Sequence, residues 1–460
     1  MAGGDQPWRH LDGLGLFDAG WYAARYPDVA CSGLSPLDHY TRLGHLMGRD
    51  PGPGLRGALL AEDMAGRRAG LDLWLRDGPP DDLWRRVMVA ARGIAASEGL
   101  DQAAQMARTH LGDKALRPLH LIAADLALRD KADGRQAWLG HLNAYLAPWG
   151  IAPLRLDPQR ARLLDRLTTD PLPPCTGGPL VSVVMAAWNA ADTIAAAARS
   201  ILNQTWRNLE LLIVDDASTD ATAEALRQIA ASDSRVRVIR NARNLGPFVS
   251  KNIAICQIAR GDWITGHDAD DWAHPQWIER HLSAVLRSEG AILASTAMML
   301  RMGAAGHFGN VIPASLHHAP DGFRRRAFVS ALFHADTLRD RLGYFDSVRF
   351  GADGEMIARA QSLLGPAWRN LDVFAMLCLD AADNLTNAPA STLHQSDGAK
   401  GPRQIYNESW RDWHSRAGTD DKRLDFPQNT RRFPAPPAMI VPASLIPVAC
   451  RPDQPEPADA

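Results

Sequence analysis

The feature that most constrains the fold is an alternation of short apolar runs and helix-like stretches that begins at residue 180. The first run, residues 180–186 (LVSVVMA), is apolar almost throughout, as expected for a strand buried on both faces. Strands are also predicted at 209–214, 235–240 and 262–266, with helices at 190–204, 218–231 and 247–259. Alternation at this spacing is typical of a mostly parallel sheet covered by helices. We therefore predict an α/β domain over residues 180–425.

Polar side chains follow three of these predicted strands at the point where each strand ends. They are Trp188-Asn189, Asp215-Asp216 and the acidic run from Asp268 to Asp271. In open sheets of this type, ligands bind beyond the carboxyl ends of the strands. We therefore expect the three groups to converge in one crevice.

The acidic run places three carboxylates within four positions, at Asp268, Asp270 and Asp271. In an extended segment side chains alternate, so Asp268 and Asp270 point the same way. Two carboxylates on one side favour a hard divalent cation, Mn²⁺ or Mg²⁺, between them. The alternative, left open by this stretch alone, is that Asp270 or Asp271 only turns the chain and caps the next helix.

Length and composition bound the remaining choices. A chain of 460 residues predicts two or three domains, and a net charge of -2 argues against nucleic acid as a partner. The five cysteines are scattered without metal-type spacing, which suits a reducing compartment. The first residues lack an apolar secretion signal, and no run approaches the roughly 20 apolar residues of a membrane span. We therefore expect a cytoplasmic protein without a transmembrane segment, whose membrane contact, if any, is peripheral.

The remaining regions differ from the α/β pattern. Residues 1–55 are rich in aromatics and turn formers, which indicates a small helical module. Residues 56–170 carry apolar residues at helical spacing, notably in 83–97, 101–111 and 116–128. We predict a helical scaffold there, with helices of the length found in helical-repeat proteins. The Pro/Gly-rich stretch 171–179 is interpreted as a linker, and the Pro/Ala-rich residues 426–460 as a loosely ordered tail.

Four ordered segments give the chain a family resemblance. They are VSVVMAAWNAADTI, SILNQTWRNLELLIVDDASTD, NLGPFVSKNIAI and GDWITGHDADDW. Together they resemble glycosyltransferase family 2, whose members have a GT-A fold and transfer sugars with inversion. The pattern FDAGWYAARYPDVA near the start is similar to a small module attached to bacterial polysaccharide-synthesis proteins.

The resemblance implies a binding site for a nucleotide-sugar donor, with a UDP-sugar expected. Asp215 takes the position that accepts a hydrogen bond from a uracil-type imide, and neighbouring Asp216 is either part of that site or a turn residue. Lys251 stands where the family often has Arg, close to the base and diphosphate. Asp268 is expected at the ribose or a metal-bound water, and Asp270 as ligand of a divalent metal. The expected contacts to the nucleotide base come from Ala187, Trp188 and Asn189.

The resemblance also implies a catalytic base from a Glu-Asp pair opening a helix, with Arg several residues on. Asp353 takes the Asp position and Arg359 the Arg position, whereas Ala352 replaces the usual Glu. Glu355 is a possible substitute, although two positions along a helix it faces another direction. Helix capping is the alternative for Asp353. Possible acceptor or diphosphate contacts are Glu355, Arg359, His394 and Arg403.

The expected function is metal-dependent transfer of a sugar to a hydroxyl on a saccharide, lipid-linked or protein acceptor, in bacterial surface polysaccharide or glycoconjugate synthesis. The alternative is a non-catalytic GT-A protein that binds carbohydrate or assists assembly, which Ala352 and Lys251 favour. A nucleotidyl-transfer enzyme is disfavoured because the first predicted strand is not followed by a loop rich in glycine and basic residues.

Overall fold

The computed structural model describes residues 19–26, 29, 34–40, 83–128, 134–308, 321–380 and 401–447. The chain divides into two compact units. The helical unit comprises Met1–Pro153, Leu300–Arg325 and Ser396–Ala399, and the sheet unit comprises Leu154–Met299, Arg326–Gln395 and Lys400–Ala460. Among the described residues no helix is both long and apolar enough to cross a membrane.

The helical unit contains six described helices. They are α1 (Ala19–Arg25), α2 (Pro36–His39), α3 (Leu83–Ser97), α4 (Leu100–Leu111), α5 (Leu116–Ala127) and α6 (Gly134–Leu146). The helices expected at 83–97, 101–111 and 116–128 are therefore confirmed. Most of the N-terminal module and all of residues 56–82 lie outside the described residues.

One segment of the helical unit was not foreseen from the sequence. Residues 300–325 fall inside the range predicted for a continuous α/β domain, yet they group with the helices. The Trp138 indole N–H donates to the carbonyl of Gly306 at 2.8 Å, and the ring stacks on Phe308. The Tyr145 hydroxyl donates to the Asp321 carboxylate at 2.9 Å. These contacts hold the segment against α6.

The sheet unit is built on a nine-stranded sheet with the order β5-β4-β3-β6-β10-β8-β11-β7, in which β9 pairs with β8. A separate hairpin joins β1 (Leu154–Leu156) and β2 (Leu167–Thr169). The strands of the large sheet are β3 (Val181–Ala187), β4 (Leu209–Asp215), β5 (Val236–Arg240), β6 (Trp263–Asp268), β7 (Trp272–Ala273), β8 (Ala294–Met302), β9 (Arg325–Arg326), β10 (Leu332–His334) and β11 (Trp368–Leu379). Strands β5, β4, β3 and β6 are parallel neighbours, as predicted. The pairs β6–β10, β10–β8 and β11–β7 are antiparallel, so the sheet is mixed rather than mostly parallel.

Helices cover both faces of this sheet. The helices of the sheet unit are α7 (Leu163–Arg166), α8 (Ile194–Leu202), α9 (Thr222–Ser232), α10 (Pro247–Gln257), α11 (Trp277–Leu286), α12 (Ala352–Leu364) and α13 (Pro402–Arg416). On one face, residues of α8 and α11 pack with Val183 and Leu211. On the other face, residues of α10 and α12 pack with Val184 and Leu212. Successive strand residues thus enter opposite cores, which explains the uninterrupted apolar runs.

Strand β6 needs a glycine in its centre. A Cβ placed on Gly266 would lie 2.3 Å from the carbonyl oxygen of Val329, closer than non-bonded atoms approach. The close approach lets the chain around Val329 lie directly on β6. Any side chain at this position would push the two segments apart and shift the acidic end of the strand.

Two stretches are more ordered than the sequence predicts. In the expected linker, the Cys175 N–H donates to the carbonyl of Thr205 at 2.7 Å, and Arg207 N–H donates back to Cys175. In the expected loose tail, residues 426–447 are described and bury Phe426, Phe433 and Val441 in apolar clusters of the sheet unit. Prolines restrict these stretches, but their apolar side chains still find a core.

Candidate active site

The register of three parallel strands brings the predicted site residues to one edge of the sheet. Asp215, the last residue of β4, lies opposite Ala187, the last residue of β3. On the other side of β3, Ala186 lies opposite Asp268, the last residue of β6. The two acidic strand ends therefore flank the end of β3, and Trp188 follows directly between them.

Asp215 has one carboxylate oxygen that the folded chain leaves available. The side chain is buried, and its Oδ1 accepts a hydrogen bond from the Ser218 N–H at 2.9 Å. Its Oδ2 has no hydrogen-bond partner, although the Arg240 guanidinium lies 3.5 Å away. A buried acceptor without a donor is costly, so this oxygen is suited to an N–H of a bound ligand.

The neighbouring Asp216 serves the fold instead. Its buried carboxylate accepts hydrogen bonds from the backbone N–H groups of Leu245 and Gly246 and from the side chain of Asn241, at 2.7 to 2.8 Å. These bonds fix the turn that leads into α10. Both oxygens are therefore occupied by protein donors, which fits the turn interpretation of Asp216 better than nucleotide binding.

The loop after β3 exposes one large aromatic ring. Trp188 is 58% exposed, the highest value among the large apolar side chains of the described residues. Asn189 adopts a positive φ of 48°, and its Oδ1 accepts the Thr219 N–H at 2.8 Å. The Asn189 side chain thus ties this loop to the loop after β4, while Trp188 remains available to a planar ligand such as a nucleotide base.

Lys251 projects from α10 onto the end of β6. Its Nζ lies 2.8 Å from Asp268 Oδ1, with the Lys251 side chain 6% and the Asp268 side chain 44% exposed. The ammonium is therefore buried while the carboxylate keeps an open side. This pair places a fixed positive charge beside the crevice where the resemblance expects the base and diphosphate.

The rest of the acidic run separates into two environments. Asp270 is partly exposed, whereas Asp271 is buried and accepts a hydrogen bond from the Leu379 N–H at 2.9 Å. Burial raises the pKa of the Asp271 carboxyl well above its ordinary value, and the charges of Asp270 and Asp268 raise it further. The buried Asp271 carboxyl therefore differs from those of Asp268 and Asp270, which are partly exposed.

These carboxylates fit a shared metal site rather than a closed one. Within the described ranges, no cluster of three or more His, Cys, Asp or Glu residues is arranged to hold a metal ion. Mg²⁺ and Mn²⁺ are commonly held by one or two carboxylates together with substrate phosphates and water. Asp268 and Asp270 provide that type of donor set at the edge of the sheet.

The predicted base lies in the first turn of α12. Asp353 is the second residue of this helix and is partly exposed. Its carboxylate has no hydrogen-bond or ion-pair partner within the part of the chain that the structure describes. No backbone N–H of the helix is capped by it, so the capping alternative finds no support in these contacts.

Glu355 and Arg359 do not line an open site. Both side chains are completely buried, and the Arg359 guanidinium forms a bidentate pair with Glu355 at 2.9 Å. The Nε2 of His414, in α13, lies 3.0 Å from Glu355 Oε1, which also accepts a hydrogen bond from Arg359 Nε. Burial alone would raise the pKa of Glu355, but Arg359 and His414 hold this pKa below its ordinary value. The expectation that Glu355 or Arg359 contacts the acceptor or the diphosphate therefore does not fit the structure.

Arg403 lies close to the start of α12. A Cβ on Gly351, which has a φ of 84°, would lie 3.6 Å from Arg403 Nε. The Arg403 guanidinium has no partner among the described residues, so it can meet an anionic ligand group. His394 lies outside the described residues.

Asp346 is a residue whose importance the sequence did not reveal. Its fully buried carboxylate accepts hydrogen bonds from the Tyr406 hydroxyl at 3.0 Å, Gln428 at 2.9 Å and Arg431 at 2.5 Å. It thereby joins α13 and the segment around Arg431 to the loop that precedes Gly351. The local signal for Asp346 is its position directly after the apolar Leu342-Gly-Tyr-Phe stretch. This signal does not reveal its hydrogen-bond partners, because they are distant in sequence.

Comparison with known proteins identifies the class of this domain. Residues 182–303 match the family model described as glycosyl transferase family 2. Residues 182–303 are therefore a glycosyltransferase family 2 segment, which runs from strand β3 to strand β8 of the sheet described above.

Two relatives and one solved structure illustrate the likeness. An uncharacterized glycosyltransferase of Haemophilus influenzae is 43% identical over 102 residues, which cover 22% of this chain and 31% of that protein. The second relative is WfaP of Escherichia coli, which is named UDP-Glc:alpha-D-GlcNAc-diphosphoundecaprenol beta-1,3-glucosyltransferase. It is 39% identical over 104 residues, which cover 23% of this chain and 39% of WfaP. The S. aureus TarS structure overlaps with a TM-score of 0.36 at 18% identity, over 44% of this chain and 37% of TarS. The matched segment spans less than half of the length of these proteins.

Proposed function

We propose that this protein is an inverting glycosyltransferase that moves a sugar from a nucleotide-sugar, a UDP-sugar, to a hydroxyl acceptor. The observation that carries the proposal is the strand register, in which Asp215 and Asp268 flank the end of β3. The ends of β3, β4 and β6 all lie inside residues 182–303, the segment matched by the family 2 model. Three independent strand ends with complementary groups for base, ribose and diphosphate are difficult to explain by packing alone.

The donor base is assigned to Asp215 and Trp188. The Oδ2 of Asp215, which accepts no hydrogen bond from the described part of the protein, accepts the imide N–H of uracil, and the exposed Trp188 ring packs against the base. The relative WfaP carries UDP-Glc in its name, which supports the choice of uridine. Lys251 and Asp268 lie next to this position, where the ribose and the diphosphate follow.

Asp268 and Asp270 would hold a divalent metal, Mn²⁺ or Mg²⁺, together with the diphosphate oxygens. When bound, such an ion neutralises negative charge on the leaving nucleoside diphosphate. Lys251 adds a fixed positive charge on the same side through its pair with Asp268. These residues bind and orient the donor so that the anomeric carbon faces the acceptor.

Asp353 is assigned as the general base. Its unpaired carboxylate takes the proton from the acceptor hydroxyl while that oxygen forms a bond to the anomeric carbon. The bond from the anomeric carbon to the phosphate oxygen breaks, and the nucleoside diphosphate leaves with the electron pair. Attack opposite to the leaving group inverts the configuration.

Arg403 is assigned to an anionic part of a substrate. It lies beside Gly351, just before the helix that carries Asp353, and has no protein partner among the described residues. A diphosphate group, in the donor or in a lipid-linked acceptor, matches its guanidinium. The name of WfaP includes a diphosphoundecaprenol acceptor, which supports a lipid-linked saccharide in bacterial surface polysaccharide synthesis. Such an acceptor implies a cytoplasmic protein in peripheral contact with the membrane.

A non-catalytic carbohydrate-binding or assembly protein is the second candidate. Ala352 favours it, because the carboxylate that family members commonly place there is missing and buried Glu355 does not replace it. Release of free nucleotide separates the two candidates.

The experiment incubates the purified full chain with UDP-glucose, UDP-N-acetylglucosamine or UDP-galactose and a lipid-extract acceptor, with Mn²⁺ or with EDTA. We expect acceptor-stimulated UDP release with one donor in the presence of Mn²⁺, and its loss in EDTA. GDP-mannose serves as the control for base recognition. Saturable UDP binding without turnover under any of these conditions would support the non-catalytic candidate.

A further inference from the structure

A cavity lies in the sheet unit, and none of its lining residues belongs to the strand ends described above. It has a volume of about 280 Å³ and is formed by the later turns of α13, the turn at Asp420–Lys422 and the chain around Phe433. Its main lining residues are Ser409, Trp413, Arg416, Asp421, Arg432 and Phe433. None of these residues has a part in the reaction proposed above.

Opposite charges line this cavity without meeting. The Asp421 carboxylate and the Arg432 guanidinium have no side-chain partner within the described part of the chain, and they do not approach each other within 4.0 Å. Arg416 differs, because its guanidinium is already paired with Asp412. The cavity therefore offers one free anionic acceptor and one free cationic donor, with space between them.

The wall between these charges is apolar. The rings of Trp413 and Phe433 stack with centroids 5.0 Å apart, and Pro434 continues the wall beside them. Most of both rings is buried, so the wall is held rigidly by the core. Across it, the Ser409 hydroxyl donates to Ile405 and keeps its lone pairs for another donor.

We propose that this cavity binds a neutral saccharide unit. Sugar hydroxyls both donate and accept, so one ligand can donate to Asp421 and accept from Arg432, while its C–H face packs on the apolar wall. A singly charged ligand would be attracted by one of these two side chains and repelled by the other, so its charge would gain little, whereas uncharged hydroxyl groups can form hydrogen bonds with both. The mixed charges therefore match a polyol better than a phosphate or an amine.

The position of the cavity gives it a use beyond the proposed transfer step. Ser409 and Arg416 lie 6 and 13 residues after Arg403 on the same helix, which corresponds to roughly 9 and 20 Å along its axis. A saccharide chain whose end is at Asp353 could place a later unit in the cavity. The cavity would then select acceptors longer than one sugar.

The test compares the full wild-type chain with an Asp421→Ala/Arg432→Ala double variant, using ligand-detected NMR. The probes are the methyl glycosides of glucose, galactose, mannose and N-acetylglucosamine, measured with excess UDP present. Both substituted side chains lie at the surface, and the aromatic wall is left intact. We expect the double variant to raise the dissociation constant of the bound probe by about tenfold or more, because two polar partners are lost.

Arg411→Ala is the matched control, since Arg411 is on the same helix but packs over Trp410 outside the cavity. It should bind the probe as wild type does, and all variants should bind UDP equally. Equal probe binding in wild type and double variant would overturn the proposal, and so would no binding of any probe to wild type. Neither result affects the proposed transferase reaction, which is measured by UDP release.

Discussion

Lys251 Nζ lies 2.8 Å from Asp268 Oδ1, so the ammonium of a buried lysine neutralises one of the two acidic strand ends. Without Lys251 the partly exposed carboxylate would face a donor diphosphate of the same charge. We expect Lys251→Met to weaken UDP binding by about 10- to 100-fold, because the loss of one charged partner is worth on the order of 1.5 to 3 kcal/mol. Isothermal titration with UDP measures the change. Lys422→Met, which removes an exposed lysine bonded to Ser362, is the control, and equal affinities in both variants would contradict the prediction.

Asp215 and Asp216 are adjacent and both buried, yet they should respond differently to conversion to asparagine. In Asp216→Asn, the new NH₂ group faces protein N–H donors, so the free energy of unfolding should fall by about 2 to 3 kcal/mol. In Asp215→Asn, one oxygen has no protein donor, so stability should change less while UDP affinity falls. Urea unfolding and UDP titration of both variants test this contrast. A loss of UDP affinity confined to Asp216→Asn would reverse the assignment.

Asp353→Asn should separate donor binding from transfer. The unpaired carboxylate is assigned to proton removal only, so kcat should fall by at least about 100-fold while the KM for the donor stays within about twofold. Steady-state UDP release with a fixed acceptor measures both constants. Asp340→Asn, on the neighbouring π-helical turn at Thr337–Leu342, is the control and should match wild type. A parallel rise in donor KM would mean that Asp353 contacts the donor instead.

His281 should make the stability of the sheet unit depend on pH. Trp277 donates to its Nδ1 at 3.3 Å, so its Nε2 carries the proton and donates to Ser295, at 2.9 Å. Burial lowers the pKa of His281 from 6.5 to about 3. Above pH 6.5 the ring is neutral in both states. Below pH 6.5 the unfolded chain binds a proton that the folded chain excludes. Between about pH 6 and pH 3 this residue therefore lowers the free energy of unfolding by about 1.4 kcal/mol for each pH unit.

Urea unfolding of wild type and His281→Gln between pH 7 and pH 4 measures this contribution. The variant should be less stable at pH 7 but lose stability less steeply as the pH falls. His334→Gln, in the same unit, is the control. Parallel slopes for wild type and His281→Gln would show that His281 does not titrate on unfolding in this range.

The parallel half of the fold could be predicted because its signals are local. The strands ending at Ala187, Asp215 and Asp268 are apolar runs followed by polar residues, and the structure moves their ends by only one or two positions. The contacts that were missed connect distant residues. Trp138 bonds to Gly306 across 168 positions, and nothing near residue 306 marks it as part of the helical unit.

For the site residues too, local signals could be predicted from the sequence and long-range contacts could not. The exposed Trp188 and the unpaired Asp353 belong to motifs that can be recognised, whereas the burial of Glu355 and Arg359 depends on how α12 packs. A carboxylate in a motif carries no sign of whether it will face a substrate or a guanidinium. The sequence therefore predicts the region where a base is expected, and the fold distinguishes the Asp353 carboxylate, which is unpaired among the described residues, from that of Glu355, which is paired with Arg359.

The hydrogen bonds that Gln428 and Arg431 make to Asp346 have a consequence for synthesis of the chain. The loop ahead of Gly351 leaves the ribosome some eighty residues before these partners do. Until they emerge, the Asp346 carboxylate lacks two of its three donors and cannot be buried without cost. The region around Asp353, which is assigned to the acceptor, is therefore expected to complete its folding only after translation has passed residue 431. The strand ends at Asp215 and Asp268 can form earlier.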